Sequence, residues 1–309
     1  ALIVLLTATV PLARGADMQV EFVDAPDGVP LCVAETGNPN APAILLIHGF
    51  SQTYAVFKRQ FESDLAKDFR LVAMDVRGHG CSGKPVTPKA YLDSKIWADD
   101  IATVMKAKKL DKPVMFGWSA GGYWIADYVR HYGTGNIAGA VLAGSHGGMI
   151  AQPKDPASLE AQKKMREASL NFSPDVEKGI AGGDNFVKIM SAHPLPEDMQ
   201  KIMFTGTQML PAYARRMMSG RNMQHEDVVP NFKVPVLFIL GEKDRVATQD
   251  QITALAKSLP NARASIFADA GHSTFAEQPE RFNRELREFT LAAQSQDSTL
   301  QTSKPQKSK

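Results

Sequence analysis

The chain has 309 residues, 44% of them hydrophobic, with 35 basic against 33 acidic side chains and a formal charge of +2 at pH 7. That is enough apolar material for one large domain or two smaller ones with a sizeable core. With no long basic block outside the tail, the balance excludes nucleic acid and anionic membrane surfaces as expected partners. No C-x-x-C, H-E-x-x-H or His/Asp/Glu cluster at ligand spacing occurs, so neither a metal nor a cofactor is expected.

Ala1 to Ala13 is an apolar run too short to span a bilayer, so no stable membrane insertion is expected. It ends in Ala13-Arg-Gly15, small residues of the kind a signal peptidase reads. Residues 1–18 therefore read either as a truncated secretion signal, making the protein secreted or periplasmic, or as the N-terminal arm of a cytoplasmic chain. Strand patterns follow near 19–24 and 30–35, joined through Pro26-Asp-Gly28 as an antiparallel hairpin, then near 43–47, 70–75, 113–117, 138–143, 234–240 and 263–267. Helical patterns fall near 54–67, 93–109, 120–132, 248–258 and 277–293. Such alternation implies a mainly parallel sheet flanked by helices.

The alternation breaks between about His146 and Asn231, where helix-like runs recur between Pro and Gly breaks. Inserted after the sixth strand, residues 146–231 should form a helical cap on a core made of 19–145 and 232–293. Nine of the thirteen methionines lie there: Met149, Met165, Met190, Met199, Met203, Met209, Met217, Met218 and Met223. Methionine adapts to irregular apolar ligands, so some of them, Met203 and Met209 in particular, are expected to line a substrate pocket, the rest packing the cap. Residues 294–309 are rich in Ser, Gln and Lys without an apolar period and read as a disordered tail. Cys32 falls on a predicted strand and Cys81 in a loop; their pairing cannot be read from sequence, and two isolated thiols are the expectation.

The most informative segment is Gly117-Trp-Ser-Ala-Gly121, set between the apolar run Val114-Met-Phe116 and a helix-like stretch to Tyr132. That is G-x-S-x-G on a strand, turn and helix, where a serine is held in a strained conformation with its hydroxyl presented to substrate. Trp118 beside it either walls the pocket or packs under the turn. Ala143-Gly-Ser145-His-Gly147 mimics the motif but leads into Gly148, Pro153 and Pro156, so no helix starts behind Ser145.

A serine needs a base, itself oriented by a third group. His272 lies on a loop after the strand ending at Phe267, and Asp244 lies just past the end of the strand 234–240. Asp269 is a rival carboxylate three residues before His272, read as a turn residue. The order Ser119, Asp244, His272 is that of the serine α/β-hydrolase triad. Backbone N–H groups of Phe50, after the strand 43–47, and of Ala120 are the expected oxyanion hole. His48 and His79 are expected to orient loops.

His48-Gly-Phe50, Asp75-Val-Arg-Gly-His-Gly-Cys-Ser82, Gly117-Trp-Ser-Ala-Gly-Gly122, Gly241-Glu-Lys-Asp244 and Gly271-His272 together resemble the α/β-hydrolase superfamily over roughly residues 19–293. The likeness is greatest to the branch with serine esterases, cofactor-free haloperoxidase-type perhydrolases and carbon–carbon bond hydrolases. Ser119 departs from the epoxide hydrolases and haloalkane dehalogenases of that fold, which carry Asp there. The resemblance implies a capped hydrolase with a mostly parallel eight-stranded sheet, cleaving small to medium apolar carboxylic esters through an acyl-enzyme. Perhydrolysis, lactone opening, carbon–carbon cleavage or acyl transfer on the same triad remain open, as does a slow-turnover ligand receptor of the same fold. The expected partner is a small-molecule ester, and the oligomeric state is left open.

Overall fold

The computed structural model describes residues 18–151, 156, 160 and 173–302. Residues 1–17, Met165 and 303–309 lie outside the described residues.

Eight strands, β1 (Gln19–Asp24), β2 (Pro30–Gly37), β3 (Ala43–Ile47), β4 (Arg70–Met74), β5 (Val114–Trp118), β6 (Gly139–Ala143), β7 (Val236–Gly241) and β8 (Ala262–Phe267), form one sheet in the order β1-β2-β4-β3-β5-β6-β7-β8. β1 and β2 make the expected antiparallel hairpin, with Gly28 at φ +80 in its turn, β2 also runs antiparallel to β4, and every other pair is parallel. β3, β5, β6 and β7 are buried throughout, because both faces of a parallel sheet are covered by helices. Successive side chains alternate between two cores. Leu45 and Ile47 face Trp97, Ile101 and Trp124 from the helices Ser94–Ala107 and Ala120–Tyr132, while Ile44 and Leu46 join the cluster of Phe57, Phe275 and Phe282.

The segment between β6 and β7 holds the helices Val176–Ile189, Glu197–Met209 and Ala212–Met218 and a 3-10 turn at Glu226–Asn231, with no strand among the described residues. Charges tie it to the core: buried Asp127 pairs with Arg221 and with His225 at 2.7 Å, and Asp198 takes Lys58 at 2.7 Å and Arg59 at 2.8 Å. Met149, Met190, Met199, Met203 and Met218 are buried in the two cores. No described helix is long and apolar enough to cross a membrane.

Three local expectations are corrected. The single helix near 54–67 is broken into a 3-10 turn (Tyr54–Phe57) and two short helices (Lys58–Phe61 and Leu65–Asp68). Ser63 ends the first of these by donating its hydroxyl to the Gln60 carbonyl at 2.8 Å, a local bond that competes with helix propagation. The last helix runs from Pro279 to Thr302, beyond the expected start of the tail at Gln294, whose Nε2 donates to the Lys112 carbonyl at 3.0 Å.

Cys32 and Cys81 are not isolated thiols but a disulfide, with Cα atoms 5.6 Å apart. Sheet register causes it. The Asp75 N–H donates to the Cys32 carbonyl as β4 ends, and the loop turns back so that Ser82 Oγ accepts the Cys32 N–H at 2.8 Å. The bridge closes a loop with a sequence separation of 49. Cys32→Ser/Cys81→Ser should therefore lose about 2–4 kcal/mol of unfolding free energy in urea titrations, and the wild type in reductant should match it. Equal midpoints for all three samples would show that the bridge contributes no stability.

Candidate active site

Ser119 joins β5 directly to the helix Ala120–Tyr132, at φ 53 and ψ −116. An L-residue rarely adopts that backbone, and it is sustained only where the surroundings over-determine it. They do so by close backbone approach. A Cβ on Gly121 would lie 2.2 Å from the Ile47 carbonyl, and one on Gly117 would lie 2.6 Å from the Gly121 carbonyl carbon. The Ser119 N–H is held by the Ala143 carbonyl at 2.9 Å. The motif glycines thus let the start of the helix fold back on β3 and β5.

His272 follows β8 in the loop Ala268–Ser273, its side chain 1% exposed. Its Nδ1 lies 2.9 Å from Asp244 Oδ2 and 3.1 Å from Oδ1, while Nε2 has no hydrogen-bond partner among the described residues. Asp244 sits three residues past the end of β7. Burial works to raise its pKa, but the His272 charge and hydrogen bond, with N–H groups of Val246 and Ala247 on Oδ1, outweigh that and hold the carboxyl below its ordinary value. Such a pair fixes the imidazole tautomer with Nδ1–H toward the carboxylate, leaving Nε2 to accept a proton. The loops meet because Gly241 has no side chain: its Cβ would lie 2.0 Å from the Gly271 carbonyl.

Sequence reasoning missed what holds the histidine loop. The Glu277 carboxylate accepts the N–H of Gly271 (3.0 Å), of Ser273 (3.1 Å) and of Ala192 (2.7 Å), bracketing His272 on both sides and tying it to the inserted segment. The signal was an acid five residues after the histidine, which reads as nothing more than a helix-start residue. Trp118 packs beneath the turn: its Nε1 donates to the His272 carbonyl at 2.9 Å and its ring lies 5.6 Å from the imidazole.

Phe50 lies after β3 with its ring edge-on to His79 at 5.4 Å. Among the described residues, neither the Phe50 nor the Ala120 N–H donates to a turn, loop or cap carbonyl. His48 braces the loop, Nδ1–H donating to the Gly49 carbonyl at 2.7 Å and Nε2 accepting the Val76 N–H at 3.2 Å; burial pushes its pKa down to about 4, so it stays neutral. Asp75 Oδ1 accepts the Tyr54 N–H at 2.5 Å, and a Cβ on Gly49 would lie 3.1 Å from the Ser119 Cβ, so this loop runs against the serine.

The other candidates lie elsewhere. Asp269, at φ 59, is exposed and paired with Lys243 and His193. Ser145 is buried and accepts the Gly147 N–H. Met203 is fully buried against the core, and Met209 is 37% exposed.

The family model described as Serine aminopeptidase, S33, matches residues 38–279. Esterase RhEst1 from Rhodococcus sp. ECU1013 is similar in structure, with a TM-score of 0.78 at 29% identity, covering 89% of this chain and 99% of that one. The AB hydrolase superfamily protein YisY of Bacillus subtilis is 26% identical over 87% of this chain and 98% of its own. The bifunctional esterase/perhydrolase DCH of Acinetobacter calcoaceticus is 25% identical over the same shares.

Two outcomes follow from this geometry. Glu277→Gln, whose amide cannot accept all of these N–H groups, should lower kcat about tenfold or more with little change in KM, since a small misplacement of a reacting group is costly; an unaltered kcat would remove Glu277 from any role in placing His272. Because the Asp244 pKa is depressed, its contribution to stability is present above the ordinary value of 3.8 and is lost as pH falls through the folded value. The stability gap between wild type and Asp244→Asn should accordingly close on acidification, and thermal unfolding between pH 7 and 3 would contradict this if the gap widened.

Proposed function

The chain belongs to the serine aminopeptidase (S33) family of α/β-hydrolases, and from that premise we propose that it is a serine hydrolase of carboxylic esters with Ser119, His272 and Asp244 as its triad. Two observations carry the assignment together: the buried Asp244–His272 pair, with Nε2 unengaged among the described residues, and a serine whose backbone is forced into a strained turn between strand and helix. His272 Nε2 takes the proton of Ser119 as Oγ attacks the ester carbonyl, and Asp244 stabilises the imidazolium. Charge on the carbonyl oxygen is met by the N–H groups of Phe50 and Ala120; the latter opens a helix, where the dipole favours negative charge. Collapse transfers the proton from His272 to the departing alcohol and leaves an acyl group on Ser119. Water, deprotonated by His272, then releases the acid. Substrate is taken under residues 146–231, which act as a cap and set specificity while the sheet sets the chemistry.

A second reading has one observation in its favour, the likeness to a relative named as both esterase and perhydrolase. Hydrogen peroxide replaces water in the second step and the product is a peracid, with the same residues in the same roles.

Ser119→Ala should abolish hydrolysis of 4-nitrophenyl acetate and butyrate, a loss of several orders of magnitude in turnover, with thermal stability unchanged. A fluorophosphonate should label Ser119 in mass spectrometry. Labelling of Ser145, with activity surviving in Ser119→Ala, would move the nucleophile. Asp244→Asn should collapse turnover while Asp269→Asn leaves it intact, and the reverse pattern would transfer the acid role. Added peroxide with acetate separates the two readings by the presence or absence of peracid.

A further inference from the structure

Arg215 is buried at 7% exposure, on the helix Ala212–Met218. Burying a charge is expensive unless an opposite charge accompanies it. The other deeply buried arginines obey this: Arg77 is paired with Asp100 at 2.6 Å and Asp27 at 2.9 Å, and Arg221 with Asp127. Arg215 forms no ion pair among the described residues. Its hydrogen bonds go to three neutral oxygens: Nε to the Leu210 carbonyl at 3.1 Å, Nη1 to Ser51 Oγ at 2.5 Å and Nη2 to the Thr207 carbonyl. Two of these acceptors are carbonyls at the end of the helix Glu197–Met209, so the dipole of that helix compensates a fraction of the charge. A guanidinium has five N–H groups. Among the described residues one N–H on each terminal nitrogen has no acceptor, and charged oxygens, those of a carboxylate above all, are the acceptors a guanidinium binds most strongly.

Arg215 also lines a cavity of about 380 Å³, with Arg216, Gly183, Phe186, Thr207, Gln208 and Tyr213 on its walls. That is room for part of a small molecule. Asp175, also at the cavity, is exposed and spends Oδ1 on the N–H groups of Glu177 and Lys178. Burial pushes the pKa of Arg215 down to about 10, still charged at neutral pH. Its partner Ser51, at φ 62, is the residue after Phe50, so the guanidinium stands beside the loop expected to hold the ester oxygen.

We infer that this cavity is a carboxylate subsite, and that the enzyme's preferred esters carry a free carboxylate which Arg215 binds while the apolar body of the molecule reaches Ser119. The inference rests on the ester-hydrolase reading and narrows its substrate class to half-esters of dicarboxylic acids.

Hydrolysis of monoethyl adipate is compared with that of diethyl adipate in the wild type, in Arg215→Lys and in Arg215→Gln, with the ratio of kcat/KM values as the readout. The wild type should prefer the half-ester at least about tenfold, as expected for a hydrogen-bonded charge pair. That preference should vanish in Arg215→Gln and return in part in Arg215→Lys. Adipate should bind the Ser119→Ala protein in calorimetry and compete with 4-nitrophenyl butyrate in the wild type. A wild type that turns over the diester, shows no preference for the half-ester and fails to bind adipate overturns the subsite and leaves the hydrolase reading standing. A wild type that binds adipate but cleaves neither ester preserves the subsite and removes the ester-hydrolase reading. The comparison within the wild type and the calorimetry need no Arg215 variant, so a variant that does not fold leaves the decision intact.

Discussion

Everything at the site depends on the backbone at Ser119 being held where an L-residue does not rest. The chain leaves β5, passes through φ 53 and enters a helix at once, with no loop to absorb the reversal. Holding that turn requires the helix start to lie against the end of β3, and the contact is backbone on backbone: Gly121 against the Ile47 carbonyl. The sheet supplies the rigidity, because β3, β5 and β6 are paired in parallel register and buried on both faces. Stability stored in a central sheet is thus spent locally on one strained residue.

Each remaining group is carried at the carboxyl end of another parallel strand of the same sheet. β3 delivers Phe50, β7 delivers Asp244 and β8 delivers His272, all on the edge of the sheet where ligands of open α/β folds bind. The loops are then fixed by polar contacts that do no chemistry themselves: Glu277 on the N–H groups around His272, Trp118 on the His272 carbonyl, Asp75 on the Tyr54 N–H. Asp75 in turn accepts the Cys81 N–H at 2.8 Å, and Cys81 is bridged to Cys32. Covalent order on the sheet's antiparallel side therefore reaches the Phe50 loop through two hydrogen bonds.

The strands, their order along the chain and the strand-end placement of Ser119, Asp244 and His272 were legible because each rests on local pattern. A buried run of Val, Ile and Leu ending in Gly or His is read within a few residues. The disulfide was not legible, because it follows from antiparallel pairing of β2 with β4, a long-range register that leaves no mark near either cysteine. Glu277 was hidden for a related reason, since an acid at the start of a helix has an ordinary local explanation. The break at Ser63 turned on one hydroxyl choosing a nearby carbonyl, and the extension past Gln294 on a contact with the distant Lys112 carbonyl that no local pattern announces. Arg215 carries no local mark in the sequence; only the fold shows that it lies inside.

The glycine contacts also govern how such a protein can change. At Gly117, Gly121, Gly241 and Gly271 the obstacle to any added side chain is main chain, within 2.0 to 2.6 Å, and main chain cannot be repacked by a second substitution elsewhere. Mutational drift and laboratory libraries meet a wall at these positions. Variation is channelled instead into the stretch between β6 and β7, joined to the core by side-chain pairs such as Lys58–Asp198 that can be exchanged one at a time. Sequence change can therefore accumulate in that stretch repeatedly without disturbing the sheet beneath the serine.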